Sequence, residues 1–223
     1  MKDEKKDPNT LEAFVSETVG IKEQHPGGED KMSREEIMQK VLERRVELSN
    51  EYVKPHYKKS RTVTEDDLPR ILNDSKVMHE MCLVGRGDYT SAFAIAHPQV
   101  NEEDPLRFYV TVEGQIVINP IITNYTKHLM RKQEGCMSYP EEPMKDFFRF
   151  HKITVNYQTV IYSEDKEGVP VGVPRISPIM TQEYKGQESQ IFQHECQHFN
   201  GSDIYKKDAS AADAVGDGKK VQK

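Results

Sequence analysis

The chain of 223 residues has no apolar run long enough to cross a bilayer, so no membrane partner is expected. It has only three cysteines, Cys82, Cys136 and Cys196. An odd number at no disulfide-like spacing speaks against a stapled secreted scaffold and for free thiols in a reducing compartment, one of them available to a metal. There is no excess of positive charge: the net charge of -6 is mild and acidic, and leaves no footprint for nucleic acid or for specific DNA recognition. The N-terminal Met1-Lys2-Asp3-Glu4-Lys5-Lys6-Asp7 lacks an apolar core segment, so neither a secretory signal nor a typical transit peptide is expected. No internal repeat is present.

Hydrophobic residues make up 35% and charged residues 30% of the chain, more polar than a compact domain, and the surplus is assigned to the ends. Residues 1–32 are expected to be a disordered extension, 33–207 the catalytic domain and 208–223 a disordered tail. Ser33-Arg34-Glu35-Glu36 is a capping box, and Ile37, Val41, Leu42 and Val46 behind it predict a helix to about Asn50. Lys54 to Arg61 reads as a solvated basic connector. Thr64-Glu65-Asp66-Asp67 opens a second helix carrying Leu68, Ile71, Leu72, Met78 and Met81, with Pro69 tolerated in its first turn.

Gly85-Arg86-Gly87-Asp88 is a loop; its Arg-Gly-Asp is read as loop chemistry and not as an adhesion signal. Phe108–Val112 and Gln115–Ile118 form a hairpin around Glu113-Gly114, with Asn119-Pro120 ending the second strand. Ile153, Val155 and Tyr157 alternate as a strand. Val160–Tyr162 continues it, and Val169–Val173 returns after a turn at Glu167-Gly168. Helices, then several strands, then one late helix predict an α+β fold, with antiparallel sheets packed around a C-terminal metal-binding helix.

That late helix carries Gln193-His194-Glu195-Cys196-Gln197-His198, an H-E-x-x-H string. Residues four apart share a helix face, so His194 and His198 aim two imidazoles at one point. Glu195, one step round, is placed as a base. A catalytic site of this type needs a third ligand and an open position. The candidate is Cys136, in Glu134-Gly135-Cys136-Met137-Ser138. Cys196 points off the metal face and reads, like Cys82, as a packing thiol.

With these residues the chain resembles the peptide deformylases. That family carries, in order, a Gly/Ala-rich run ending in Pro-Gln, an E-G-C-L-S signature and a Q-H-E-x-D-H signature. Here they correspond to Ala92 to Gln99, Glu134 to Ser138 and Gln193 to His198. Ile118-Asn119-Pro120, Arg149 and Gly186 also fall where the family has them, and the resemblance spans roughly Leu68 to Tyr205. It implies hydrolysis of the N-formyl group from the initiator methionine of nascent peptides in the cytoplasm or an organelle, with the ribosome a candidate partner. It implies Cys136, His194 and His198 as ligands of Fe(II), with Zn, Ni or Co as substitutes, and water as the fourth ligand. Glu195 would be general base, with the Gln99 amide and the Met137 backbone N–H as oxyanion donors. Glu134 and Arg149 would form a structural ion pair. Ala94, Ile95, His97 and Ile191 would line the substrate site.

The chain departs from the family at several positions. Ala92 and Ala94 replace glycines, and an Ala94 methyl would narrow the site or shift the backbone. His97 stands where the family has a small residue; it reads either as a pocket residue or as a space filler. Gln197 replaces an aspartate, and Met137 replaces leucine, a volume-conserving change. Two other readings stand beside deformylation. One is a different Cys-His-His metalloamidase or protease; the other is a deformylase-like peptide-binding protein with altered catalysis.

Overall fold

The computed structural model describes residues 34–164 and 170–216. The expected N-terminal extension, the Ser33 capping residue and the turn at Glu167-Gly168 lie outside the described residues. Among those described, no helix is long and apolar enough to cross a membrane.

Two helices come first, α1 (Arg34–Ser49) and α2 (Leu68–Val84), with a 3-10 turn, Glu65–Asp67, ahead of the second. Strand β1 (Ala94–Ala96) runs into another 3-10 turn, His97–Gln99. It joins β2 (Phe108–Thr111), β3 (Ile116–Tyr125), β6 (Lys152–Gln158) and β9 (Met180–Lys185) in an antiparallel sheet of order β1-β2-β3-β6-β9. Two hairpins stand apart from it, β4 (Leu129–Glu134) with β5 (Lys145–Phe150), and β7 (Val160–Glu164) with β8 (Pro170–Ile176). The last helix, α3, spans Gly186–Phe199.

Strand alternation gives the sheet two buried faces. Ile95, Phe108, Val110 and Ile118 pack with α1 and α2. Ala94, Ala96, Tyr109 and Val117 pack with α3, joined by Ile153, Val155 and Tyr157 of β6. Phe192 of α3 meets Tyr109 edge-on at 5.5 Å between ring centroids and lies 4.2 Å from Tyr184. The α+β arrangement around a C-terminal helix is as the element order predicts.

Several local expectations change. Helix α1 buries Val41 and Leu48, seven apart, whereas Leu42 and Val46 are exposed; Arg44 fixes this rotation through Glu80 on α2 at 2.9 Å. Strand β3 does not stop at Asn119-Pro120. Asn119 takes a positive φ of 51°, and the pairing with β6 shifts register between Ile118 and Ile121. Asparagine tolerates that conformation, and a bulge accommodates the proline that cannot donate. The Asn119 side chain also brackets Val63, accepting from its N–H at 2.8 Å and donating to its carbonyl at 3.0 Å. The basic stretch 54–61 is tied in on both sides. Val53 N–H donates to the Gln99 carbonyl and Ser60 N–H to the Phe199 carbonyl, and Arg61 pairs with Asp67 and Asp104.

The tail expected from residue 208 is structured as far as 216. Ala211 and Ala214, in a 3-10 turn, are buried against the α3 core. Asn200 Nδ2 donates to the Asp213 carbonyl at 2.8 Å. Residues 217–223 lie outside the described residues.

His97 belongs to this framework. It is fully buried against Phe108, 4.8 Å between ring centroids. Its Nδ1 accepts from the Leu106 N–H at 2.9 Å, and its Nε2 lies 3.2 Å from Asp74 Oδ2. Burial, reinforced by Arg70 and opposed by Asp74 and Asp104, brings its pKa from 6.5 down to about 4. The unfolded chain therefore binds this proton first as pH falls, so stability drops from about pH 6.5 to about pH 4 and the term is spent below that. We expect His97→Gln to flatten the urea midpoint against pH across this window, by up to ~3 kcal/mol. An unchanged slope would remove His97 from the linkage.

Candidate metal centre

Helix α3 begins at Gly186, whose φ is 61°, and ends at Asn200-Gly201, where Gly201 has φ 71°. A Cβ on Gly201 would come within 2.3 Å of the Tyr57 carbonyl, so glycine is required where the helix stops. Along α3 the apolar Phe192, Cys196 and Phe199 face the sheet core. That rotation turns His194 and His198, four apart, to the other side with ring centroids 5.2 Å apart.

Cys136 arrives from the opposite direction, in a turn beyond β4 closed by the Tyr139 N–H donating to the Cys136 carbonyl at 2.9 Å. The Tyr89 ring lies over Gly135, its Oη 2.1 Å from where a Cβ would sit, so a side chain at 135 would displace that ring. The ligand atoms of Cys136, His194 and His198 all lie within 4.8 Å of one another, and Cys136 Sγ is 3.4 Å from His198 Nε2. One sulfur and two imidazoles suit a divalent first-row cation. These three residues form a metal-binding group.

Behind the ligands sits a buried polar network. Arg149, fully buried, grips Glu134 with both arms, Nε to Oε1 at 2.8 Å and Nη2 to Oε2 at 2.6 Å. Glu134 Oε2 also takes His194 Nδ1 at 2.9 Å, which leaves His194 Nε2 for the metal. Burial pushes the Glu134 carboxyl up, but Arg149 and His194 outweigh it and hold it at about 2. Arg149 Nη1 reaches Gln197 Oε1 at 2.6 Å, and Gln197 Nε2 goes on to the Ser210 carbonyl at 3.2 Å. The amide at position 197 thereby joins the network to the C-terminal segment.

Burial dominates at Glu195 and His198. It raises Glu195 to about 7, and the Glu195 Oε2 is buried with no hydrogen-bond partner. Burial also drives His198 well below its ordinary value. His194 goes the other way: burial opposes its charge, but Cys136 and Glu134 lift it to about 10. Gln99 is oriented at both ends of its amide. Its Oε1 accepts from the Ala96 N–H at 2.8 Å, and its Nε2 donates to Ser138 Oγ at 3.1 Å and faces Cys136 Sγ at 3.6 Å.

An open cleft reaches Cys136, His194 and Glu195, and Gln99, Met137, Ala94 and Ile191 also line it. Neither Ala92 nor Ala94 has a positive φ, so both methyls are accommodated without backbone strain. Ile95 and His97 do not belong to the cleft. Alternation along β1 sends Ile95 into the α2 core, and His97 is bonded into the framework away from the metal group. Tyr89, Phe93 and Met144 do line it and were not anticipated. They come from loops without periodicity, so no sequence signal marked them.

A model of the polypeptide deformylase family matches residues 57–169, just over half of the chain. The match ends before α3, so the histidine pair rests on the geometry above. The peptide deformylase of Thermotoga maritima is similar at 27% identity and a TM-score of 0.50, covering 66% of this chain and 86% of that one. A peptide deformylase from Synechococcus elongatus, solved in complex with actinonin, shares the fold at 19% identity and a TM-score of 0.50, covering 71% and 75%. No curated protein matches the chain.

Removing the Glu134 charge tests the network. Glu134→Gln is expected to weaken metal binding ~10–100-fold, read by chelator competition. It should also cost roughly 3–5 kcal/mol in urea unfolding at pH 7, because Arg149 is left buried without its counter-charge. Unchanged affinity would mean that His194 is oriented without Glu134.

Proposed function

The chain belongs to the polypeptide deformylase family, and from that premise we propose that it hydrolyses the N-formyl group from the initiator methionine of nascent peptides, with Cys136, His194 and His198 holding the metal. The observation that carries this is the convergence of one sulfur and two ring nitrogens, with Cys136 and His194 reaching an open cleft beside a buried carboxylate with an unpartnered oxygen. The donor set fits Fe(II) and also Zn, Ni or Co; Fe(II) is our assignment for the native ion.

When bound, such a cation supplies Lewis acidity, which makes water a usable nucleophile near neutral pH. The protein's own residues do the rest. Glu195, desolvated in the cleft floor, takes the proton from the attacking water and returns it to the leaving amine. The Gln99 Nε2–H and the Met137 backbone N–H stabilise the oxyanion as the carbonyl carbon becomes tetrahedral. The fixed orientation of the Gln99 amide supports this role, since its oxygen is already engaged by Ala96. Ala94 and Ile191 supply apolar wall for the methionine side chain. The products are formate and a peptide with a free amino terminus.

The catalytic unit on this reading runs from α1 through residue 216, because the α3 core is incomplete without Ala211 and Ala214. Substrates of this kind arise at translation. We therefore assign a cytoplasmic setting, with the ribosome as the partner that presents the nascent chain.

Anaerobically purified, Fe(II)-loaded protein is expected to release formate from formyl-Met-Ala-Ser. Glu195→Ala should lower kcat by at least ~10²–10⁴ with its metal content unchanged. Metal-replete protein that releases no formate would overturn the assignment. Cleavage of the unformylated peptide instead would point to another metalloamidase.

A further inference from the structure

The loop of Gly85-Arg86-Gly87-Asp88 between α2 and β1 takes no part in the chemistry above, yet it is built rigidly against the metal centre. Gly85 has φ 70°, and a Cβ there would lie 2.1 Å from the Tyr89 carbonyl. Arg86 and Tyr89 exchange both backbone hydrogen bonds at 3.0 Å, closing the loop on itself. Arg45 of α1 clamps the loop from outside, donating to the Tyr89 carbonyl at 2.6 Å and to the Gly87 carbonyl.

Inside the clamp the Arg86 side chain turns inward. Its guanidinium lies 4.3 Å from the centre of the buried Tyr52 ring, and its Nη1 donates to the Met137 carbonyl at 2.8 Å. An arginine held in this way is not presented for adhesion. It is directed at the turn that carries Cys136 and the Met137 N–H.

Residue 137 is thus held from several sides. Cys136 before it joins the metal group, and Ser138 after it accepts from Gln99. The Met137 side chain is buried in the α2 core. The Cys136 carbonyl accepts from the Tyr139 N–H, and the Met137 carbonyl, on the next peptide group of the same turn, is held by Arg86 with a charge-assisted hydrogen bond, the stronger kind. Rotation of this turn would move the Met137 N–H relative to the developing oxyanion, and misplacement by about 1 Å can cost on the order of 10²-fold in rate.

We infer that Arg86 is a positioning residue for the hydrolysis, holding the Met137 carbonyl so that the neighbouring Met137 N–H stays in register with the oxyanion, with Tyr52 beneath it and Arg45 fixing its loop. This rests on the deformylase reading proposed above. The interaction acts on the transition state, so its loss should appear in kcat and not in KM.

The test compares the Fe(II)-loaded parent with Arg86→Met and Arg86→Lys on formyl-Met-Ala-Ser, with metal content and thermal midpoint measured on each. Arg86→Met is expected to lower kcat ~10–100-fold with KM changed less than about 3-fold. Arg86→Lys restores a charged donor and should return kcat to within about 5-fold of the parent. Equal kcat in parent and Arg86→Met overturns the inference, and so does an equal loss in the Met and Lys variants. Should Arg86→Met fail to fold, Arg45→Met, at the solvent end of the same clamp, is expected to lower kcat about 3–10-fold at constant KM; an unchanged kcat there is again fatal. A parent that releases no formate defeats the deformylase reading itself and this role with it. An active parent with indifferent variants defeats only the role.

Discussion

One buried carboxylate ties the molecule together. Glu134 sits at the end of β4, two residues from Cys136, and it receives both arms of Arg149 from β5 and Nδ1 of His194 from α3. Both strands of the β4–β5 hairpin and the late helix therefore meet on two oxygen atoms. Desolvating such charges costs several kcal/mol per ion, so the pair is weak ground for stability. Its return is placement. With His194 Nδ1 committed to Glu134, Nε2 is the nitrogen left for the cation, and the sulfur and the ring are referred to the same anchor. Gln197 extends that anchor through Arg149 to the Ser210 carbonyl, so the C-terminal segment also leans on it.

The sheet serves the site by having two faces of different character. Toward α3, β1 presents Ala94 and Ala96, small enough for a helix to approach and a cleft to open beside it. Toward α2 it presents Ile95, which fills a dense core with Phe108, Val110 and Ile118. The 3-10 turn that follows β1 delivers Gln99 to the metal group while His97 is drawn into the framework by Leu106 and Asp74. Two residues separate a side chain beside the metal group from one buried in the framework. Helix α1 and the segment after it act on the site from the far side, through Arg45 at the Arg86 loop and Val53 at the Gln99 carbonyl.

The substitutions at the first motif are absorbed locally. Alanine at 92 and 94 needs no left-handed backbone, and the bulk of His97 goes into the opposite core. These departures leave the metal group and the orientation of Gln99 intact, which is why the altered motif is compatible with an active site of the family type.

How legible each part was follows the range of the interaction that decides it. Spacing of four on one helix places His194 and His198 together whatever the rest of the chain does, because helical geometry is local. Alternation marks β6 for the same reason, and the ordered motifs single out Cys136 as the sulfur partner. The strands β4, β5 and β9 are rich in charged and polar residues and carry no such rhythm; pairing alone makes them strands. The tail beyond 208 is polar and alanine-rich, yet it packs on α3 as far as residue 216, through two buried methyl groups and the amides of Asn200 and Gln197. Sequence by itself determined the ligand types, their spacing and the order of elements. Only the tertiary structure decided that Ile95 and His97 face away from the cleft, that Tyr89 covers Gly135, and that an arginine from a surface-looking tripeptide ends on the Met137 carbonyl. Each of these depends on contacts between residues distant in the chain, and no local periodicity encodes them.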